Sequence, residues 1–532
     1  MNAKNLFRSL CLFAIFLVPF CGLAADDYTN PIIDADYSDP DVVRVGDDFY
    51  LTASSFNSVP GLPILHSRDL INWRIIGHAL QRQPPFDVFA RPQHGNGVWA
   101  PSIRYHDKYF YIFYGDPDFG IYMVKARHAA GPWSQPLLVR AAKGWIDPCP
   151  FWDDDGNAYL VHAWSNSRSG IKSILTINRM TPDGTKLLDD GQMVFDGHAH
   201  HPTIEGPKLY KRNGYYYIFA PAGGVTTGWQ TALRARNIYG PYEDKIVMDR
   251  GQTDINGPHQ GGWVELKSSE SWFVHFQDRG AYGRVVHLQP VKWVNDWPVI
   301  GVDKDSDGKG EPVATYRKPN VGRVYPRQTP QTSDEFGADK LGLQWQWHAN
   351  PLDEWLSLSV RRGWLRLRAV PSPAGGKNLW AVPNLLLQKL PARKFMATTL
   401  VDASNLREGE RSGLVIMGRD YSYLTVQRTP GGLRVLRVTC NEAAKNTAEH
   451  EVGAVALKGN SVYLRVEVVD AALCRFSYST DGAKFELLGD EFKAQPGMWI
   501  GAKVGLFALG SKQGYADYNW FRFSRDLDEQ KR

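Results

Sequence analysis

Between Asp39 and about Asp303 the chain sets short runs of Val, Ile, Tyr, Phe and Trp between Gly, Asp and Asn, and almost no stretch carries a helical period. Such runs predict strands and such breaks predict turns. Within this region a unit recurs: a polar tight segment, a strand, a Gly/Asp turn, an aromatic strand and a further strand pair. The turn with its aromatic strand reads Val45-Gly46-Asp47-Asp48-Phe49-Tyr50, His106-Asp107-Lys108-Tyr109-Phe110-Tyr111, Asp155-Gly156-Asn157-Ala158-Tyr159 and Arg212-Asn213-Gly214-Tyr215-Tyr216-Tyr217. A degenerate fifth copy is Lys267-Ser268-Ser269-Glu270-Ser271-Trp272-Phe273. The unit starts, marked by Asp39, Trp99, Asp147, Glu205 and His259, lie 60, 48, 58 and 54 residues apart. Repeats of this length, each with about four strands, predict the blades of a propeller rather than a long irregular sandwich. Two outer-strand endings also repeat, as Gly131-Pro132-Trp133 and Gly240-Pro241-Tyr242.

From about Lys304 to Thr332 the composition shifts to Pro, Lys, Gly and Arg, which marks a linker. Beyond it, Asp334-Glu335-Phe336 opens a second region of alternating strands, such as Trp364-Leu365-Arg366-Leu367-Arg368 and Tyr463-Leu464-Arg465-Val466-Glu467-Val468. That pattern predicts a β-sandwich. The expected class is therefore all-β: a five-bladed β-propeller over 25–310, a linker over 311–333 and a sandwich over 334–532.

The N-terminus changes the picture of where this chain works. Lys4 and Arg8 precede the apolar run Leu10 to Val18, and Gly22-Leu23-Ala24 follows, the three-part pattern of a signal peptide over 1–24. A secreted protein, periplasmic or extracellular, is expected. The run is too short to span a bilayer, and no later segment offers the ~20 apolar residues of a membrane span. Three cysteines remain after residue 24, too few for a disulfide-built fold, with a Cys440–Cys474 bridge left open. The net charge of +5 comes with no dense Lys/Arg cluster, which argues against a nucleic-acid partner.

Candidate chemistry follows from the blade period. Each blade starts with its innermost strand, so polar residues at the starts converge on the funnel mouth. Three units place a carboxylate there: Ser38-Asp39-Pro40, Ile146-Asp147-Pro148 and Ile204-Glu205-Gly206-Pro207. Carboxylates around one pocket repel, so their proton affinities spread. Glycoside hydrolysis uses such a spread: one acid protonates the departing oxygen and one carboxylate activates water. The longer Glu205 suits the acid and Asp39 the base, while Asp147 tunes the acid by its charge and positions the sugar.

The series Asp-Pro, Trp-Ala-Pro, Ile-Asp-Pro, Glu-Gly-Pro and Gly-Pro-His-Gln-Gly resembles glycoside hydrolase family 43 over roughly residues 30 to 300. The resemblance implies the same three catalytic roles for Asp39, Asp147 and Glu205. It also implies substrate binding by Arg284, in Tyr282-Gly283-Arg284-Val285, and a calcium ion in the central channel facing His259. Trp99 is the expected substrate wall, with Phe49 and Trp145 beside other blade starts. The Asp303–Glu311 stretch lacks the distal Glu of a calcium loop and reads as a polar loop. The last region resembles the concanavalin-A-like sandwich that accompanies part of the family and closes one side of its pocket. The activity implied is inverting, exo-acting hydrolysis of terminal α-L-arabinofuranosyl or β-D-xylosyl residues of plant cell-wall oligo- or polysaccharides. The alternatives are a silent glycan-binding protein and a fructan-type propeller hydrolase.

Overall fold

The computed structural model describes residues 27–511 and 513–525; the signal peptide expected over 1–24 lies outside them. Five four-stranded antiparallel sheets follow one another along the chain, each with its strands in sequence order. Their inner strands are Asp41–Val45, Trp99–His106, Trp145–Trp152, Lys208–Arg212 and His259–Glu265. These are the five blades that the repeat predicts.

The aromatic runs are long because a blade is buried on both faces. In Tyr109–Asp116 the side chains of Phe110, Ile112 and Tyr114 join the core between blades one and two. Tyr111 and Phe113, pointing the other way, join the core between blades two and three. The same strand thus serves two cores, which the period of two along a strand requires. Three further clusters fill the remaining blade interfaces, with Val161 against Ile218, Phe219 against Phe273, and Trp73 and Leu51 sharing one cluster with Trp272 and Val274. Each such buried side chain is worth about 1.5–3 kcal/mol.

The stretch read as a linker is tied down. Thr315–Arg317 pairs with Asp27–Thr29, and the Asn30 side chain bonds the carbonyls of Leu288 and Val313, so both ends of the propeller chain are clamped to the fifth blade. Beyond it, a seven-stranded and an eight-stranded sheet stack into the sandwich. Leu414, Ile416, Leu424 and Val426 of the first sheet face Val462, Leu464 and Phe476 of the second. The opposite face of the seven-stranded sheet is covered by Leu379, Val382 and Leu385.

Cys440 and Cys474 are free thiols, so the bridge left open by the sequence does not form. They belong to different sheets, Cys440 in the cluster under Leu379 and Cys474 in the core between the sheets. Among the described residues no helix is long and apolar enough to cross a membrane.

The two domains interlock. Val59 and Trp347 form a backbone bridge, the Asn57 amide donates to the His348 carbonyl, and the Asn350 side chain bonds Gln83 on both its atoms. The Tyr282 hydroxyl reaches the Arg393 and Val469 carbonyls of the sandwich. This docking fixes one sandwich loop over the propeller mouth.

Candidate active site

Each blade carries one residue with positive φ at a matched place near the start of its inner strand: Asp39 (53°), Ala100 (33°), Asp147 (57°), Gly206 (59°) and Gln260 (34°). In three of the blades the ladder also slips there, between Trp99 and Ser102, Ile146 and Cys149, and His259 and Gly261. A bulge turns the backbone and re-aims the neighbouring side chain. A non-glycine residue is strained there, and such strain collects at functional sites. The prolines after Asp39 and Asp147 and the Gly-Pro after Glu205 stand at this kink. The repeat therefore delivers its polar residues to one cavity, lined by Asp39, Asp147, Glu205, Trp99, Arg284, Phe56, Ala100, Ile146, Val225, Gln260 and Trp499.

Asp39 is held from three directions. Its Oδ2 accepts the hydroxyls of Ser38 at 2.8 Å and Ser54 at 2.5 Å, and its Oδ1 accepts Nη1 of Arg284 at 3.1 Å. Ser54 in turn accepts the backbone N–H of Ala100, tying the first blade's kink to the second's. With only 7% of its side chain exposed, Asp39 sits at the cavity floor.

Asp147 and Glu205 form a second, adjoining pair. The Asp147 Oδ2 accepts the backbone N–H of Gly206 at 2.7 Å, so the residue after Glu205 is positioned by its neighbour's carboxylate. Burial first, and the Glu205 charge next, hold the Asp147 carboxyl well above the usual carboxylate range. The Gly206 N–H and the Lys208 ammonium favour its charged form but do not prevail. Glu205 keeps 34% of its side chain exposed, and its Oε1 lies 3.1 Å from His259 Nε2. One carboxylate is thus fixed at the floor, one faces the opening, and a third stands beside the second with its charge suppressed.

All five of the residues expected to act or to bind substrate meet here: Asp39, Asp147, Glu205, Arg284 and Trp99. The Trp99 indole is anchored by its N–H to the Gly95 carbonyl. Phe49 and Trp145 do not reach the cavity; Phe49 lies in the core between the fifth and first blades and Trp145 stacks on His162.

His259 is buried beside Glu205, but its surroundings do not suit calcium. The ion prefers six to eight oxygen ligands. His259 offers one nitrogen to Glu205 and leaves Nδ1 without a partner, while the oxygens of Pro101 and Ser102 in the channel already accept an ammonium from Lys208. The acidic cluster among the described residues lies elsewhere, at Asp303, Asp305 and Asp307. There the carboxylates accept N–H groups of their own loop and the Lys309 ammonium.

Sequence reasoning missed Trp499, and no local signal marks it. It sits 460 residues beyond Asp39 in the other domain, in the loop Gly497–Gly501, with φ of 63°. Its ring meets Trp99 edge-on at 6.3 Å and lies 5.9 Å from the Arg284 guanidinium. Asp36 explains how the loop is held. One of its oxygens accepts the backbone N–H of Arg284 at 2.9 Å and the other that of Gly501 at 3.0 Å. A single buried carboxylate clasps the propeller's arginine to the sandwich loop.

These features match what comparison with known proteins finds. The model of glycosyl hydrolases family 43 matches residues 28–298, and that of the β-xylosidase C-terminal concanavalin-A-like domain matches 333–524. A putative β-xylosidase of Xylanibacter ruminicola is 42% identical over 90% of this chain and 85% of its own. The chain belongs to glycosyl hydrolase family 43. It is a glycoside hydrolase, which sets aside the silent binder and the fructan-type alternative. Also similar is a non-reducing end α-L-arabinofuranosidase of Bacteroides ovatus, 29% identical over 99% of this chain and 100% of that protein. Among solved structures, a xylan β-1,4-xylosidase from Bacillus halodurans superposes with a TM-score of 0.83, at 26% identity over 93% of this chain and 99% of that one.

Because half of the Trp499 side chain is exposed (52%), its removal should spare the fold and loosen the sugar. Trp499→Ala is expected to raise KM roughly tenfold, about 1.4 kcal/mol of lost apolar contact, with an unchanged melting temperature. Asp36→Asn, which leaves one of the two backbone N–H groups facing an amide NH2, should raise KM in the same direction. Steady-state kinetics with nitrophenyl glycosides check both; unaltered KM values in the two variants would refute the clasp.

Proposed function

We propose that this hydrolase is an exported, inverting exo-enzyme that removes terminal β-D-xylosyl or α-L-arabinofuranosyl residues from xylan- or arabinan-type chains. The observation that carries the reading is the single cavity in which Asp39 and Glu205 occupy different settings, with Trp499 closing one side. Asp39, fixed by Ser38, Ser54 and Arg284, takes a proton from the attacking water. Glu205, facing the opening, gives a proton to the departing glycosidic oxygen. Asp147 holds the Gly206 backbone, and therefore Glu205, in place; with its own charge suppressed by burial and by Glu205, it acts on the acid through this hydrogen bond. Arg284 and Trp99 bind the sugar.

The names of the relatives support both pentoses, and a pocket that recognises a terminal ring suits either one. Export is supported by the pattern over residues 1–24, and the mature N-terminus at Ala25 is open to mass measurement. An inverting pair stands ~6.5–9.5 Å apart so that water fits between base and sugar. Proton NMR of the first-formed sugar should show the anomer opposite to the substrate's, and linear xylan or arabinan fragments should release monosaccharide from the first minutes. A first product with retained configuration would overturn the mechanism; internal oligosaccharides as main early products would overturn the exo reading.

A further inference from the structure

The centre of a propeller is a channel, and in this protein side chains span it. Lys208 begins the inner strand of the fourth blade, and its side chain is wholly buried. Its ammonium donates to the Pro101 carbonyl at 2.9 Å and the Ser102 hydroxyl at 2.7 Å, both on the inner strand of the second blade. Blades two and four are not neighbours in a ring of five, so this side chain crosses the axis. Farther along the same inner strands, Arg104 of blade two donates to Asp41 of blade one at 2.6 Å and contacts the Cys149 sulfur of blade three at 3.0 Å. Its guanidinium lies 5.1 Å from the Tyr210 ring of blade four, and the Tyr210 hydroxyl accepts the backbone N–H of Trp263 in blade five. Two side-chain cations therefore tie blades one to four, and Tyr210 adds the fifth.

We propose that Lys208 is the resident cation of this active site: its ammonium takes the place of a divalent ion in the channel and makes the enzyme independent of metal. A calcium ion between the inner strands of the second and fourth blades would compete with Lys208 for the Pro101 and Ser102 oxygens and would stand against a fixed positive charge. The ammonium lies two residues beyond Gly206, whose N–H binds Asp147, and its field favours the ionised form of Asp147. It thus offsets part of the burial and repulsion that suppress the Asp147 charge, while Arg284 supplies positive charge to Asp39 from the fifth blade and His259 a polar contact to Glu205. In this role Lys208 is a positioning residue: it touches no sugar and acts on the carboxylates through space and through the second and fourth blades. The inference rests on the hydrolase site described above, but its first test is independent of activity.

That test is calorimetric titration of calcium into the full-length protein carrying Asp305→Asn and Asp307→Asn, which silence the acidic loop. No binding heat is expected, and treatment with EDTA should leave both melting temperature and kcat/KM unchanged. Stoichiometric calcium binding in that variant, or activity lost to EDTA and restored by calcium, would overturn the proposal. The second test is Lys208→Met, which keeps length and removes charge. The basic limb of the kcat/KM profile should move upward, because a positive charge no longer favours the ionised form of Asp147 beside Glu205. A folded variant whose limb stays in place would overturn the electrostatic role; if the variant does not fold, the calcium titration alone decides.

Discussion

Asp39→Asn is expected to be nearly inactive on every substrate, whereas Glu205→Gln should fail on natural oligosaccharides and retain much of its activity on nitrophenyl glycosides. The contrast follows from the bond each residue touches. A sugar alkoxide is a poor leaving group and needs the proton that Glu205 is proposed to give; nitrophenolate departs without it. The attacking water must lose a proton whatever departs, so no leaving group rescues the loss of Asp39. Each acid–base step is worth ~10²–10⁴-fold, large enough to separate the two variants by steady-state rates. The fold should survive both changes. Asn is among the few residues that tolerate the left-handed backbone held at Asp39, and Gln keeps an oxygen for His259 Nε2. Equal losses for Glu205→Gln on both substrates, with Asp39→Asn rescued by the better leaving group, would exchange the two assignments.

Arg284→Lys is expected to lower kcat/KM by roughly 10²-fold or more even though the charge is kept. The guanidinium donates through one nitrogen to both Asp39 Oδ1 and Ser38 Oγ, while its backbone N–H binds Asp36. A lysine ammonium is a compact point charge without the planar fork and reaches these partners only with different geometry. The buried Asp39 carboxylate then keeps a cation nearby but loses the Nη1 contacts that hold it and Ser38 in place. Because the arginine holds Asp39, the proposed base, and lines the cavity proposed to take the sugar, kcat should fall and KM rise together. The measurement is a full kcat and KM comparison at one pH; a variant with wild-type kcat and only a raised KM would reduce Arg284 to a binding residue.

The blade repeat, the five strand starts and the three carboxylates are legible in the sequence because a propeller writes them locally. Each blade must bury both faces, so its middle strands carry unbroken runs of aromatic and branched residues such as Tyr109–Tyr114, and each inner strand must turn at its start, so Pro or Gly follows the functional residue. The resemblance to a known family could then be drawn residue by residue, because these short motifs lie at fixed places in the repeat. Phe49 and Trp145 show the limit of the same signal: a residue next to a blade start points either into the funnel or into a blade interface, and alternation alone does not say which.

Everything that depends on local period can be read along the chain: strands, blades, the sandwich, and the convergence of Asp39, Asp147 and Glu205. The tertiary structure decided what depends on contacts between distant segments. It brought Trp499 from the sandwich to the pocket wall, used Asp36 to clasp Arg284 to that loop, sent Lys208 across the axis from the fourth blade to the second, and kept Cys440 and Cys474 on separate sheets. The physical reason is the same in each case. A hydrogen bond or a ring contact across the axis or across the domain seam leaves no periodic trace along the chain, since its two partners lie 106 to 465 residues apart and are joined only when the blades close into a ring and the sandwich docks.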